Sequence, residues 1–225
     1  SIIIFIWKRK NSNTWKKPTK PFSKESRIIL TKNVTFYNSL TKTEQTKFEF
    51  QVQEFLLNCR VTGIKTTINL TDKILVASSA VIPVFGFDNW KYSNINEVLI
   101  YPNSFNKEFE IKGEDRTVLG MVGTGRYEKQ MILSKKAIRL AFNNKTDKHN
   151  TPVHEFVHLL DKMDGETDGV PEYFLGKEFI QPWLELMHTE MESINNDTSD
   201  IRKYGGTSQA EFFAVASEYF FERPK

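Results

Sequence analysis

Apolar residues recur every three or four positions in several segments of this chain, and they cluster in a few shorter runs. Phe48, Val52, Phe55 and Leu56 form one such stripe, the spacing of a buried helical face. Thr41-Lys42-Thr43-Glu44 ahead of it is a capping box, so a helix is predicted from residue 41 to about Asn58, and Gly63 ends that region. Ile64 to Leu70 reads as a strand. Thr71-Asp72 opens a second helix that runs through Ile82, where Pro83 and Gly86 stop it. Glu97 to Tyr101 is a short strand closed by Pro102. Residues 105–128 carry four glycines and many charges and read as a loop or irregular hairpin. No Lys-Ser/Thr follows Gly120, Gly123 and Gly125, so they are not a phosphate loop. Gln130 to Leu133 is another strand, and Lys135 to Phe142 a short helix. A further helix starts near Thr151, with Pro152 in its first turn, and leaves at Asp164-Gly165. Helices from Pro182 to about Ile194 and from Ser208 to Phe221 complete the pattern. There is no internal repeat. Several helices with a small sheet and mostly local connections place the chain in the α+β class.

Composition narrows the picture. The 225 residues suit one large domain or a main domain with a small annex. Hydrophobic residues make up 39% and aromatics 13%, including 18 phenylalanines, enough for a real core and against wholesale disorder. A single cysteine, Cys59, excludes an internal disulfide and a Cys-type zinc site, and suggests a reducing, cytoplasmic compartment. It follows an apolar helix face, so it reads as a buried thiol.

The net charge of +3 is uneven. Residues 1–27 hold eight of the 31 Lys and Arg but one acid, Glu25, leaving 23 basic against 27 acidic residues in the remainder. The body is mildly acidic and offers no basic face for nucleic acid. Residues 1–27 therefore read as a basic arm and linker, ahead of a domain spanning 28–225. The arm opens Ser1-Ile2-Ile3-Ile4-Phe5-Ile6-Trp7-Lys8-Arg9-Lys10. That order of apolar residues, interfacial Trp and cations suits the cytoplasmic end of a membrane anchor. The run is too short to span a bilayer, which needs about 20 residues. The expectation is a fragment cut within an N-terminal anchor, tethered to the inner face of a membrane. The competing reading is an edge strand.

The chemistry lies in His154-Glu155-Phe156-Val157-His158. Residues four apart share a helix face, so His154 and His158 can grip one metal ion. Glu155 can then act on a water, as in zinc peptidases. Asp161 lies three residues beyond His158 on the same face, where its carboxylate could accept the free ring N–H of a metal-bound histidine. A catalytic zinc takes three protein ligands and keeps one position open. The class with a third histidine six residues on fails, because Asp161 and Asp164 stand where its glycine and histidine would be. Glu185, Glu190, Glu192, Glu211, Glu218 and His188 remain as third ligands, and periodicity does not choose among them. Ser208-Gln209-Ala210-Glu211 is itself a capping box, which alone explains Glu211. The strongest apolar face of that last helix is Phe212, Phe213, Ala216, Tyr219 and Phe220. Glu211, Val215 and Glu218 lie opposite, where small Ala214 would admit a neighbouring helix.

Two segments carry a resemblance: HEFVHLLDKMDGETDGVP from His154 to Pro171 and YGGTSQAEFFAVASEYFFERP from Tyr204 to Pro224. Together with Glu97 to Phe105 and Met131 to Ser134, the chain resembles the MtfA family of glucose-regulated zinc peptidases over most of residues 40–224, the arm excluded. The resemblance implies a mainly helical, zincin-like metallopeptidase fold with a small mixed sheet. It implies Zn²⁺ held by His154, His158 and Glu211, with Glu155 as general base. Tyr204 matches a family tyrosine and is a candidate oxyanion donor, or else simply an aromatic before a Gly-Gly turn. The expected substrate is a peptide or protein, with aminopeptidase activity among family members, and by analogy with other zinc peptidases it would pair with the strand near Gln130 to Leu133. The rival implication is a binding module whose partner is a transcriptional repressor.

Overall fold

In the computed structural model, residues 15–106, 110, 116–143 and 149–222 are described, Arg126 by its backbone alone. The predicted arm sequence through Lys10 lies outside them. Among the described residues no helix is long and apolar enough to cross a membrane. Residues 15–23, expected to be linker, lie along the helix that carries Asn58. Asn58 Oδ1 accepts the Lys16 N–H at 2.7 Å, and its amide donates to the Lys16 carbonyl at 2.8 Å.

Helix α1 (Lys24–Asn33) starts at the Ser23 cap, and α2 (Thr35–Ser39) follows it closely. Arg27 and Tyr37 from these helices both donate to the Glu49 carboxylate, at 2.6–2.7 Å. Glu49 belongs to α3 (Lys42–Asn58), which carries the Thr41/Glu44 capping box read from the sequence. Cys59 caps α3 and is buried, and burial holds its thiol at about 12.

Strand β1 is Arg60–Gly63, not the expected 64–70. A Cβ on Gly63 would stand 2.2 Å from the Thr66 carbonyl oxygen, and Lys65 has a φ of 53°. The chain therefore turns at once after Gly63. Asn69 and Asp72 then form a capping box that opens α4 (Leu70–Val81) one residue before the predicted start. Helix α4 is buried over most of its circumference and forms the centre of the core.

Strands β2 (Glu97–Tyr101), β3 (Gly120–Val122) and β4 (Gln130–Ser134) complete a mixed four-stranded sheet of order β1-β2-β4-β3. β1, β2 and β4 run parallel, and β3 pairs antiparallel with β4. Strand β4 thus has neighbours on both sides, Val98↔Met131 and Met121↔Ile132 among the pairs. It cannot receive a substrate strand as expected, because its backbone groups are already used. Strand β3 is the edge beside the cleft, within the stretch expected as a loop or irregular hairpin, and its antiparallel pairing with β4 agrees with the hairpin.

Helix α5 (Lys135–Asn143) follows β4 directly, and α6 (Thr151–Asp161) carries the HExxH segment. The apolar side of α6 enters the core. Phe156 is wholly buried, edge-on to Phe55 at 5.6 Å and tilted against Tyr92 at 5.5 Å. Losing such a ring costs about 3–5 kcal/mol, so the roll of α6 is strongly fixed and His154 and His158 are turned to the cleft. Helix α7 (Lys177–Asn195) starts five residues before the expected Pro182, with Gly176 at its cap. Trp183, Leu184, Met187 and Ile194 pack with Val170 and Phe212 in a second apolar cluster. That packing outweighs the hydrogen bond that an internal proline forgoes.

The last helix, α8 (Gln209–Glu222), buries more than its most apolar face. Phe212, Ala214, Val215 and Glu218 are buried, while Phe220 is exposed. Its Glu211–Ala214–Val215–Glu218 side meets α6. Small Ala214, fully buried, allows that approach.

Candidate metal centre

Helix α6 begins at Asn150, whose side chain accepts the Val153 N–H at 3.1 Å. One and two turns on, His154 and His158 bring their Nε2 atoms to 3.0 Å of each other. From α8, Glu211 Oε2 stands 3.0 Å from His154 Nε2 and 3.5 Å from His158 Nε2. Metal–ligand bonds of about 2.0–2.1 Å in a tetrahedron place ligand atoms about 3.3 Å apart. The three observed separations bracket that edge. Glu211 Oε2 is also buried without a hydrogen-bond partner among the described residues. Two nitrogens and a carboxylate oxygen converge on one point, and they form a group that could hold a metal ion. Glu185, Glu190, Glu192 and His188 stand on α7 outside this group; His188 meets Gln209 at 3.1 Å instead.

Electrostatics among these side chains follow from this crowding. Burial alone would push the His154 imidazole down. The Glu211 and Glu218 carboxylates, close against its two ring nitrogens, outweigh it and bring His154 to about 9. Burial raises Glu211, but both imidazoles overcome it and hold the carboxyl well below its usual range. Burial pushes Glu155 up.

Glu155 lines the same cleft of about 320 Å³, with His154, His158, Glu211, Tyr204 and edge strand β3. Gly120 makes room for it. A Cβ there would lie 2.6 Å from Glu155 Cγ and 2.7 Å from its Oε1. The sequence only excludes Gly120 from a phosphate loop; no local signal there points to Glu155, 35 residues further on.

Asp161 is buried but serves a different partner from the one expected. Both carboxylate oxygens accept the Gly169 N–H at 3.0 Å, while His158 Nδ1 has no hydrogen-bond partner among the described residues. Gly169, at φ 79°, passes so close to α8 that a Cβ would lie 2.3 Å from the Gln209 carbonyl oxygen. Its own carbonyl accepts the Trp183 indole N–H at 2.8 Å. Asp161 therefore pins the loop that docks at the start of α8, two residues before Glu211. A side chain leaving the last turn of α6 meets this returning loop before it can reach an imidazole.

The carboxylate behind His154 is Glu218. Its Oε1 accepts from His154 Nδ1 at 2.6 Å and its Oε2 from the Asn150 N–H at 2.6 Å. A carboxylate only accepts, so His154 carries its proton on Nδ1 and turns Nε2 to the metal position. Glu218 was a ligand candidate in the sequence. Its spacing of seven from Glu211 gives both a common face, and depth decides their roles.

Tyr204 stands at the cleft mouth, half-exposed, its ring stacked on His154 at 6.0 Å and 30°. Burial and the neighbouring Glu211 carboxylate hold the phenol at about 12.

Comparison with known proteins places the chain among metallopeptidases. The family model described as glucose-regulated metallo-peptidase M90 matches residues 5–225. That match extends into the arm, beyond the resemblance read from the sequence. An uncharacterised Synechocystis protein, slr2042, is 29% identical over 238 residues, covering 99% of this chain and 86% of the relative. Mlc titration factor A of Escherichia fergusonii is 28% identical over 85% of this chain and 76% of its own length. The Pectobacterium atrosepticum protein of that name is 25% identical over 83% and 74%. With a matched span that includes both the α6 histidines and the α8 glutamate, the chain belongs to the glucose-regulated M90 metallopeptidase family.

Proposed function

We propose that this protein is a zinc-dependent peptidase of zincin-like fold, with His154, His158 and Glu211 as ligands. The observation that carries the reading is the convergence of the three ligand atoms beside a buried Glu155. Zinc at this point would supply Lewis acidity, polarising the scissile carbonyl and acidifying a water. Glu155 takes the proton of the attacking water and delivers it to the leaving amine. Its burial, which favours the protonated form, suits the second half of that task. Tyr204, whose phenol stays protonated, donates a hydrogen bond as charge builds on the carbonyl oxygen.

Strand β3 orients the substrate. Gly123 N–H and the Leu119 carbonyl bond across to β4, at Gln130 and Ser134. Alternation then turns the N–H and C=O of Gly120 and Val122 to the free edge. An extended peptide pairs there as an added strand. Aminopeptidase action is the form that the resemblance favours.

The test couples metal analysis to hydrolysis of amino-acid amides and longer peptides. The parent should hold one zinc and lose activity to a chelator. Glu155→Gln should keep zinc and lose about 10²–10⁴-fold in rate. Undiminished hydrolysis by that variant would overturn the reading. A second reading, a module that acts by binding a protein, draws on the relatives' name, Mlc titration factor A. Under it, a cellular phenotype persists in Glu155→Gln.

A further inference from the structure

Arg202 sits between α7 and α8, just ahead of the 3-10 turn Lys203–Gly206 that holds Tyr204. Three groups surround it. Its Nη2 donates to Glu218 Oε1 in an ion pair. Its Nη1 lies 3.0 Å from His149 Nδ1, which must accept, because a guanidinium only donates. Its Cζ lies 5.5 Å from the centre of the Tyr204 ring. Glu218 and Tyr204 in turn touch the same residue, His154, one through Nδ1 and the other across the ring face.

We propose that Arg202 is the positioning residue of the metal centre, locking Glu218 under His154 and bracing Tyr204 against the same imidazole. Glu218 is fully buried, and a buried carboxylate stripped of its cation is strongly destabilised where it stands. Arg202 is the cation paired with it. The flat guanidinium can bond the carboxylate edge-on while its face lies on an aromatic ring, which a lysine ammonium cannot do. One side chain thus fixes the ring of a ligand and the phenol above it. No glutamate or histidine spacing points to this residue, which stands in a loop and outside the HExxH segment.

The inference rests on the zinc-centre reading above, and zinc affinity separates the two. Affinity is measured by competition with a chromophoric chelator on the full chain, with circular dichroism and melting of the zinc-free protein as folding controls. Arg202→Met should weaken zinc binding about 10–100-fold, the usual effect of losing a ligand's outer partner. Glu218→Gln should do the same, and the double variant should bind no more weakly than Glu218→Gln alone, because Arg202 acts through Glu218. Arg202→Lys keeps a cation and should lose several-fold; it carries the test if the Met variant does not fold. Zinc affinity within twofold of the parent in either folded Arg202 variant overturns the proposal. So do losses that multiply in the double variant. A parent chain that takes up no zinc refutes the metal-centre reading itself.

Discussion

Gly120→Ala is the sharpest perturbation of the account, because it adds one methyl group against the proposed base and touches no proposed ligand. The new Cβ would stand 2.6 Å from Glu155 Cγ, 2.7 Å from Oε1 and 2.9 Å from Cδ. Carbon contacts are comfortable from about 3.5 Å, so Glu155 must retreat by about 0.9 Å or β3 must lift away. Misplacing a reacting group by about 1 Å costs about 10²-fold in rate, which is about 2.7 kcal/mol of transition-state stabilisation. Overpacking at this edge strand should cost about 1 kcal/mol of stability, a melting shift of about 2–4 °C. Zinc affinity should stay within about threefold, because His154, His158 and Glu211 lie off the clash; roughly 0.6 kcal/mol is the corresponding bound. The assays are kcat/KM on a cleaved peptide, zinc competition and thermal melting. A folded, zinc-loaded Gly120→Ala protein with kcat/KM within threefold of the parent would refute the argument that β3 sets the position of the base.

Val122→Pro removes an N–H from the outer edge of β3 without breaking the ladder to β4. It should lower kcat/KM for extended peptides about fivefold, the worth of one hydrogen bond near 1 kcal/mol, and spare amino-acid amides; equal losses on both would count against strand pairing. Asp161 predicts a pH effect. Burial lifts its carboxyl from 3.8 to about 6, against the lowering by the Gly169 N–H. Between those values the folded chain holds a proton that the unfolded chain has released, so this group's contribution to stability declines as pH rises from about 4 through 6. Asp161→Asn removes that titration and can still accept from Gly169, so its melting temperature relative to the parent should climb across that window; a flat difference would exclude the effect.

Local signals carried much of this structure in the sequence. The Thr41/Glu44 box, Pro102 after β2 and Pro152 in the first turn of α6 act within one turn of chain, and each stands where the pattern put it. His154 and His158 share a face by helical geometry alone. What could not be read depends on contacts between distant segments. Strand β3 exists because β4 offers it a partner, and Gly120 matters because α6 stands behind it. Asp161 has the right spacing for an imidazole, yet a loop eight residues on reaches it first. α8 also buries Glu218, opposite its most apolar face, because His154, Asn150 and Arg202 compensate it. Periodicity cannot see such a partner set. α7 extends past its proline for a related reason: Trp183 and Met187 find an apolar cluster that no local rule reports.

The central claim is that α6 and α8 build one open metal site. Anomalous diffraction at the zinc edge from crystals of the zinc-loaded protein measures this directly. The account predicts one strong peak within about 2.0–2.2 Å of His154 Nε2, His158 Nε2 and Glu211, with water at the fourth position. A peak elsewhere, or a protein side chain closing the fourth position, would contradict it.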